Sequence, residues 1–256
     1  MADPAAGGGL VGGAIAALLG RKPDAVLGLA TGSSPEPVYD DLSARSRAGT
    51  VSFADASGFQ LDEYDGLPPE HPQSYRSVLT REVVERLGFR PGSVQGPDGM
   101  ADDLAAACSS YEESIERAGG IDVQLLGVGS DGHIGFNEPV SSLASRTRLK
   151  TLTEQTRQDN ARFFGGDIDA VPRHVITQGI ATILSSRHAV LVAWGERKAK
   201  AIARCVEGPV TAFCPGSALQ LHAHATVVID EAAAGELELG DYYRHTWASK
   251  PAWQGI

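Results

Sequence analysis

Four short apolar runs stand well apart along the chain: AVLGLA (25–30), IDVQLLGVG (121–129), HAVLVAW (188–194) and ATVVID (225–230). None alternates with polar residues, which is the pattern of strands covered on both faces. Between them the apolar positions switch to helical spacing. Leu104, Cys108, Tyr111 and Ile115 fall at i, i+4, i+7 and i+11 before Gly119-Gly120, and Ala199, Ile202, Ala203 and Val206 lead similarly to Gly208-Pro209. Val38, Tyr39 and Leu42 begin another helix, with proline at its start and acids in its first turn. Val11 to Leu19 read as an amphipathic helix packed on the sheet. Strands alternating with helices predict an α/β fold: an open, mostly parallel, Rossmann-like sheet with helices on both faces and its active site at the carboxyl ends of the strands. A chain of 256 residues with no internal linker is expected to form one domain, 1–256.

One stretch breaks the alternation. From Ser141 to about Arg173, SSLASRTRLKTLTEQTRQDNARFFGGDIDAVPR is polar and basic for this chain and contains Gly165-Gly166. It is expected to leave the sheet, either as a mobile lid or as an exposed helix and loop. The net charge of −10, with Lys and Arg scattered, leaves no basic stripe for nucleic acid or an anionic membrane. A single phosphate could still be held by a few local cations and backbone N–H groups. Cys108, Cys205 and Cys214 are odd in number and lack C-x-x-C spacing, so neither a disulfide framework nor a zinc knuckle is expected, and a reducing cytoplasm is. The apolar opening MADPAAGGGLVGGAIAALLG carries Asp3 and no basic n-region, so it does not read as a signal peptide, and no other run approaches transmembrane length.

Chemistry concentrates in four polar clusters, each following an apolar segment. After the first run, Thr31-Gly32-Ser33-Ser34-Pro35 precedes a helix, and Gly32, Ser33 and Ser34 either cradle a phosphate or cap that helix. Asp62 and Glu63 follow Phe59 and Leu61, where apolar neighbours can tune a carboxylate for proton abstraction. In GVGSDGHIGFNEP, Asp131, His133 and Glu138 lie within eight residues. Its GVGSDG satisfies G-x-G-x-x-G, but Gly135 and Pro139 oppose the helix a dinucleotide site needs, and no ribose-binding acid stands near Lys150. No cofactor is therefore expected. Asp131-x-His133 and His222-x-His224 could ligate a metal, but further ligands at suitable spacing are lacking, so no metal site is expected. Lys198 falls in the first turn of a helix, where the dipole disfavours a cation unless an anion sits there.

LATGSSPEPVY, LDEYDGLPPEHPQSY, LGVGSDGHIGFNEPVSSLASRTR and VEGPVTAFCPGSALQLH together resemble the glucosamine-6-phosphate deaminase family, from about Val26 to Glu236. 6-Phosphogluconolactonases share the Asp-Gly-His turn but generally lack the Phe-Asn-Glu-Pro continuation and the Asp-Glu-Tyr motif, both present here. A non-catalytic sugar-phosphate sensor is the remaining alternative. The resemblance implies isomerisation and deamination of glucosamine 6-phosphate to fructose 6-phosphate and ammonia. Asp62 would move the proton between C2 and C1, and His133 would open the sugar ring, oriented by Asp131 and Glu138. Gly32, Ser33, Ser34, Lys198 and, from the lid, Arg162 would hold the phosphate. Many bacterial members are hexamers activated by N-acetylglucosamine 6-phosphate, and Ser142, Arg148 and Lys150 match the activator-binding group. The family usually has a strand before its first helix; MADPAAGGGL stands in its place, predicting a missing first strand or a shortened start.

Overall fold

The computed structural model describes residues 1–256. Its first element is α1 (Pro4–Arg21), where Asp3 accepts the Ala6 N–H at 2.8 Å as N-cap. Next come β1 (Val26–Leu29), α2 (Glu36–Arg47), β2 (Ser57–Gln60) and β3 (Asp62–Tyr64). One helix follows, whose ends α3 (Tyr75–Leu79) and α4 (Glu85–Leu87) are joined by a π turn. β4 (Val94–Gln95), α5 (Leu104–Arg117) and β5 (Val123–Leu126) lead into the polar excursion, which holds β6 (Arg148–Thr151), α6 (Glu154–Asn160) and β7 (His174–Thr177). The chain then runs through α7 (Ile180–Leu184), β8 (His188–Ala193), α8 (Ala199–Val206), β9 (Ala225–Ile229) and α9 (Gly240–Ser249).

Six strands form one parallel sheet in the order β4-β2-β1-β5-β8-β9. The chain moves outward from β1 to β2 on one side and from β5 to β8 on the other, so the sheet reverses direction between β1 and β5. That switch opens a crevice at their carboxyl ends, where α/β sheets bind ligands. The sequence expectations for these strands hold, although β5 stops at Leu126, because Gly127 to Gly129 leave the sheet to make a turn.

Val11, Ile15 and Leu19 of α1 bury against Val38 and Leu42 of α2 and against Leu27 and Leu29 of β1. On the other face Ile183, Leu191, Ile202 and Leu219 form a second core. Each of these side chains is at most 5 % exposed and contributes about 1.5–3 kcal/mol by leaving water. The amphipathic helix read from Val11 to Leu19 is therefore present, longer than expected, and packs on α2 as well as on the sheet. No helix is long and apolar enough to cross a membrane.

The excursion differs from a helix with a loop. β6 and β7 pair antiparallel with each other, and β7 pairs with β3, so Asp62 lies opposite Thr177 and Thr177 opposite Arg148. Tyr64, Phe136, Leu152, Ala161, Val171 and Val175 form a small core beneath it. The segment is thus joined through β7 and β3 to a separate three-stranded sheet.

Candidate functional site

Glycine dictates the turn after β5. A Cβ on Gly129 would stand 2.3 Å from the His133 ring, and Gly132 has φ +94° with its missing Cβ aimed at Cys214 Sγ. Two of the three GVGSDG glycines, Gly129 and Gly132, are thus explained by close approach to a histidine and a thiol, and the turn is locked by Gly129 N–H donating to His133 O at 2.9 Å. Asp131 Oδ1 accepts the His133 backbone N–H at 3.0 Å and lies 2.8 Å from the ring Nδ1. Glu138 Oε2 approaches the same nitrogen to 3.5 Å. The other oxygen of Glu138 accepts from Thr156 Oγ1 at 2.6 Å, so the partner of His133 is tied to α6 of the excursion.

Burial opposes charge on His133, but the hydrogen-bonding and Coulombic pull of Asp131 and Glu138 outweighs it and pushes the imidazole up to about 9. Burial would likewise raise Asp131, yet its contacts with His133 hold it well below the usual carboxylate range. This favours the charged imidazole at neutral pH, with Nδ1 facing both carboxylates as ion pairs, although neither contact has the alignment of a good hydrogen bond. The ligand atoms of all three residues lie within 4.8 Å of one another, a grouping that could accept a cation. The 2.8 Å approach of Nδ1 to Asp131 suits a proton better: ligands on one tetrahedral zinc, each at about 2.0–2.1 Å, stand roughly 3.3–3.4 Å apart.

Asp62 and Glu63 are both buried, not exposed beside a turn. Glu63 is spoken for: its oxygens accept from the backbone N–H groups of Tyr64, Tyr75 and Arg76 at 2.8–2.9 Å and from Gln60 Nε2 at 3.1 Å, which anchors the start of α3. Nothing comparable supports Asp62. Burial, and then the Glu63 charge, push it up to about 8, with only the nearby positive His133 opposing. Asp62 has the properties of a base and Glu63 those of an anchor.

Ser33 and Ser34 do not cap α2. Pro35 occupies the N-cap position, no side chain bonds the first-turn N–H groups there, and Ser33 is exposed. The capping alternative is therefore wrong for both serines, because Pro35 starts the helix one residue beyond their reach. Trp194 Nε1 donates to Ser34 O at 2.7 Å, which places this turn beside the end of β8. Lys198 ends a short 3₁₀ turn and stands at the N-cap of α8, one residue before the helix in which the sequence placed it. Its Nζ donates to Val128 O at 2.7 Å, so it reaches across the end of β5. Burial lowers the Lys198 pKa, Asp159 and Asp131 oppose that, and Arg162 adds to it, so the excursion and the turn after β5 both bear on this ammonium. Arg162 itself is exposed, lying over the Phe163 ring.

Arg148 and Lys150 are two residues apart on one face of β6. Arg148 Nη1 donates to Asn137 Oδ1 at 2.8 Å, and burial followed by the Arg148 charge lowers the pKa of Lys150. Ser142 is apart from them, exposed and accepting the Ala144 N–H at 3.3 Å. Thr156 and Asn137 escaped the sequence reading. Thr153 at the N-cap of α6, three residues before Thr156, is a legible helix-start signal, but its bearing on Glu138 is not.

Residues 6–228 match the family model for glucosamine-6-phosphate isomerases/6-phosphogluconolactonase. The glucosamine-6-phosphate deaminase of Streptomyces coelicolor is 66 % identical over 254 residues, 99 % of this chain and 97 % of that one. That of Mycolicibacterium smegmatis is 60 % identical over the same shares of each chain. The similarity thus extends beyond Val26 to Glu236 into both termini. Among solved structures, a monomeric glucosamine-6-phosphate deaminase superposes with a TM-score of 0.89 at 42 % identity, covering 92 % of this chain and 98 % of that one. A 6-phosphogluconolactonase from Trypanosoma cruzi, at TM-score 0.73 and 18 % identity over 93 % and 95 % of the two chains, shares the fold. With this architecture and these matches, the chain belongs to the glucosamine-6-phosphate isomerase/6-phosphogluconolactonase family.

Proposed function

We propose that the protein is a glucosamine-6-phosphate deaminase, converting glucosamine 6-phosphate to fructose 6-phosphate and ammonia. The observation that carries this reading is the pairing of a buried Asp62, raised to about 8, with a charged His133 held by Asp131 and Glu138. The two supply a base for carbon acid chemistry and an acid for the ring oxygen. His133 donates to the ring oxygen as the anomeric hydroxyl loses its proton, giving the open aldehyde. Asp62 removes the C2 proton and returns it at C1; water then replaces the amine at C2, and ammonia leaves. High identity to deaminases over nearly the full chain favours this over lactone hydrolysis, for which the likeness shown is one of fold.

In this reading the phosphate rests just before α2 against Gly32, Ser33 and Ser34, where the serine hydroxyls can donate and the helix dipole favours an anion. Lys198 and Arg162 complete it, Arg162 arriving as residues 141–173 close as a lid on the single domain. Arg148 and Lys150, with Ser142 and a second subunit of a cytoplasmic oligomer, would take N-acetylglucosamine 6-phosphate as activator. The test is release of ammonia and fructose 6-phosphate from glucosamine 6-phosphate, with and without the acetylated sugar phosphate, alongside solution mass. Equal amounts of both products support the deaminase. Binding without product would transfer the reading to a sugar-phosphate sensor, and an activator without effect on rate or mass would remove the regulatory part.

A further inference from the structure

Two thiols flank the catalytic turn without entering the chemistry above. Cys205 lies in the last turn of α8, and Cys214 opens the 3₁₀ segment Pro215–Leu221. Their sulfurs are 3.6 Å apart, while the third thiol, Cys108, is on α5. Cys214 packs against Gly132 so closely that a Cβ there would lie 2.5 Å from Sγ, and a Cβ on Gly216 would lie 2.5 Å from Cys205 Sγ. Gly216 N–H donates to Gly132 O at 2.8 Å. Arg204, next to Cys205, donates to Asp131 O at 3.2 Å and to Phe213 O at 2.8 Å. Any movement of the sulfur pair is therefore passed to the turn that carries Asp131 and His133.

We propose that Cys205 and Cys214 are an oxidation site for small peroxides, and that the disulfide they form displaces the Gly132–His133 turn and slows the enzyme. The Cys214 thiolate attacks one peroxide oxygen, and the O–O bond breaks. A sulfenic acid remains on Cys214, and the departing hydroxide takes up a proton to leave as water. The Cys205 sulfur then attacks the Cys214 sulfur, the S–O bond breaks and a second water leaves. The two thiols are oxidised by two electrons and the peroxide is reduced. Cys214 is assigned as the nucleophile because the hydrogen bond with Cys205, helped by Arg204 and the Ser217 N–H, lowers its thiol pKa against the effect of burial. Both sulfurs are buried, but the chain before Cys214 is open, with Phe213 66 % and Val210 37 % exposed, and a peroxide is small. A disulfide needs about 2.05 Å between sulfurs, so the pair must close by roughly 1.5 Å from 3.6 Å, and that movement takes place where the two sulfurs pack against Gly132 and Gly216.

The effect on turnover rests on the deaminase reading; the bond itself does not. The test is a brief hydrogen peroxide pulse on the full chain, followed by intact mass, peptide mapping, the His133 imidazole NMR signal, and ammonia release before and after dithiothreitol. Expected are a mass lower by two hydrogens, a Cys205–Cys214 peptide, a shifted His133 signal, and a rate reduced roughly ten- to hundredfold and restored by reductant. Cys205→Ala and Cys205→Ser should form no such link. A link through Cys108, or none, overturns the site; a link that leaves the His133 signal and the rate unchanged overturns the coupling. An untreated enzyme without activity counts against the deaminase reading alone, because mass and NMR still read this one.

Discussion

Asp62 and Glu63 are neighbours under nearly equal burial, 6 % and 5 % exposed, and differ in what surrounds their oxygens. Three backbone N–H groups hold Glu63, whereas Asp62 feels burial and a like charge. Asp62→Asn is expected to reduce kcat about 10²–10⁴-fold with little change in KM, since shape is kept and the base is lost; near-normal turnover would reassign the base. In the proposed mechanism Asp62 acts deprotonated and His133 protonated, so kcat/KM should rise as pH passes through about 8 and fall through about 9. Glu138→Gln removes one of the charges that raise His133, so the alkaline limb should move to lower pH by about 1 unit; an unmoved limb would show that Glu138 does not tune the imidazole. Val140 is strained independently of chemistry: a β-branched, exposed residue at φ 68°. Val140→Asn, which tolerates that conformation, should stabilise by about 1 kcal/mol and raise Tm by roughly 2–4 °C, read by calorimetry.

At the scale of elements, the uncapped start of α2 separates two roles for its serines. A helix that loses a true N-cap is destabilised by about 0.5–2 kcal/mol. Ser33→Ala and Ser34→Ala are expected to raise KM while leaving Tm unchanged, because neither side chain bonds that helix; a lower Tm with unchanged KM would indicate capping instead. Besides the β6 pairing, the helical part of the excursion is fastened by Thr156 on Glu138 and by Asn160 Nδ2 on the Tyr64 hydroxyl at 3.0 Å. Asn160→Ala should speed limited proteolysis between 153 and 173 and raise KM several-fold, about what one lost hydrogen bond of roughly 1 kcal/mol yields. If cleavage is no faster, the segment is held elsewhere. The strands of this region were illegible for a definite reason. β6 reads RLKT and is only half covered, and β2 to β4 are two to four residues long, so no period accumulates. Their pairing depends on partners up to 115 positions away, as with Asp62 and Thr177.

For the molecule as a whole, one contribution to acid stability comes from the amino end of β8, opposite the crevice. His188 of β8 is buried, stacks on His224 with ring centres 3.7 Å apart, and is pushed down to about 4 by burial and then by His224 and His222. An unfolded chain would titrate it near 6.5, so between about 6.5 and 4 the unfolded state binds more protons. The stability this histidine confers is whole above that window and is lost as pH falls through it. Asp62, raised to about 8, acts with the opposite sign over the same window, so the expected signature is a difference: Tm of His188→Gln should fall less, or rise more, than that of the parent between pH 6.5 and 4, and identical slopes would place the titration elsewhere. The buried apolar strands, the helical spacings of α5 and α8, the acidic balance, and the grouping of Asp131, His133 and Glu138 were determined by sequence alone, because each is a property of near neighbours. The tertiary structure decided that Glu63 anchors a helix while Asp62 stands without donors, that Lys198 reaches Val128, that α6 holds Glu138, and that two distant-looking thiols lie together behind the catalytic turn. Those outcomes depend on burial and on contacts between segments remote in the chain, and both arise only when the sheet, with its cover of helices, has closed around them.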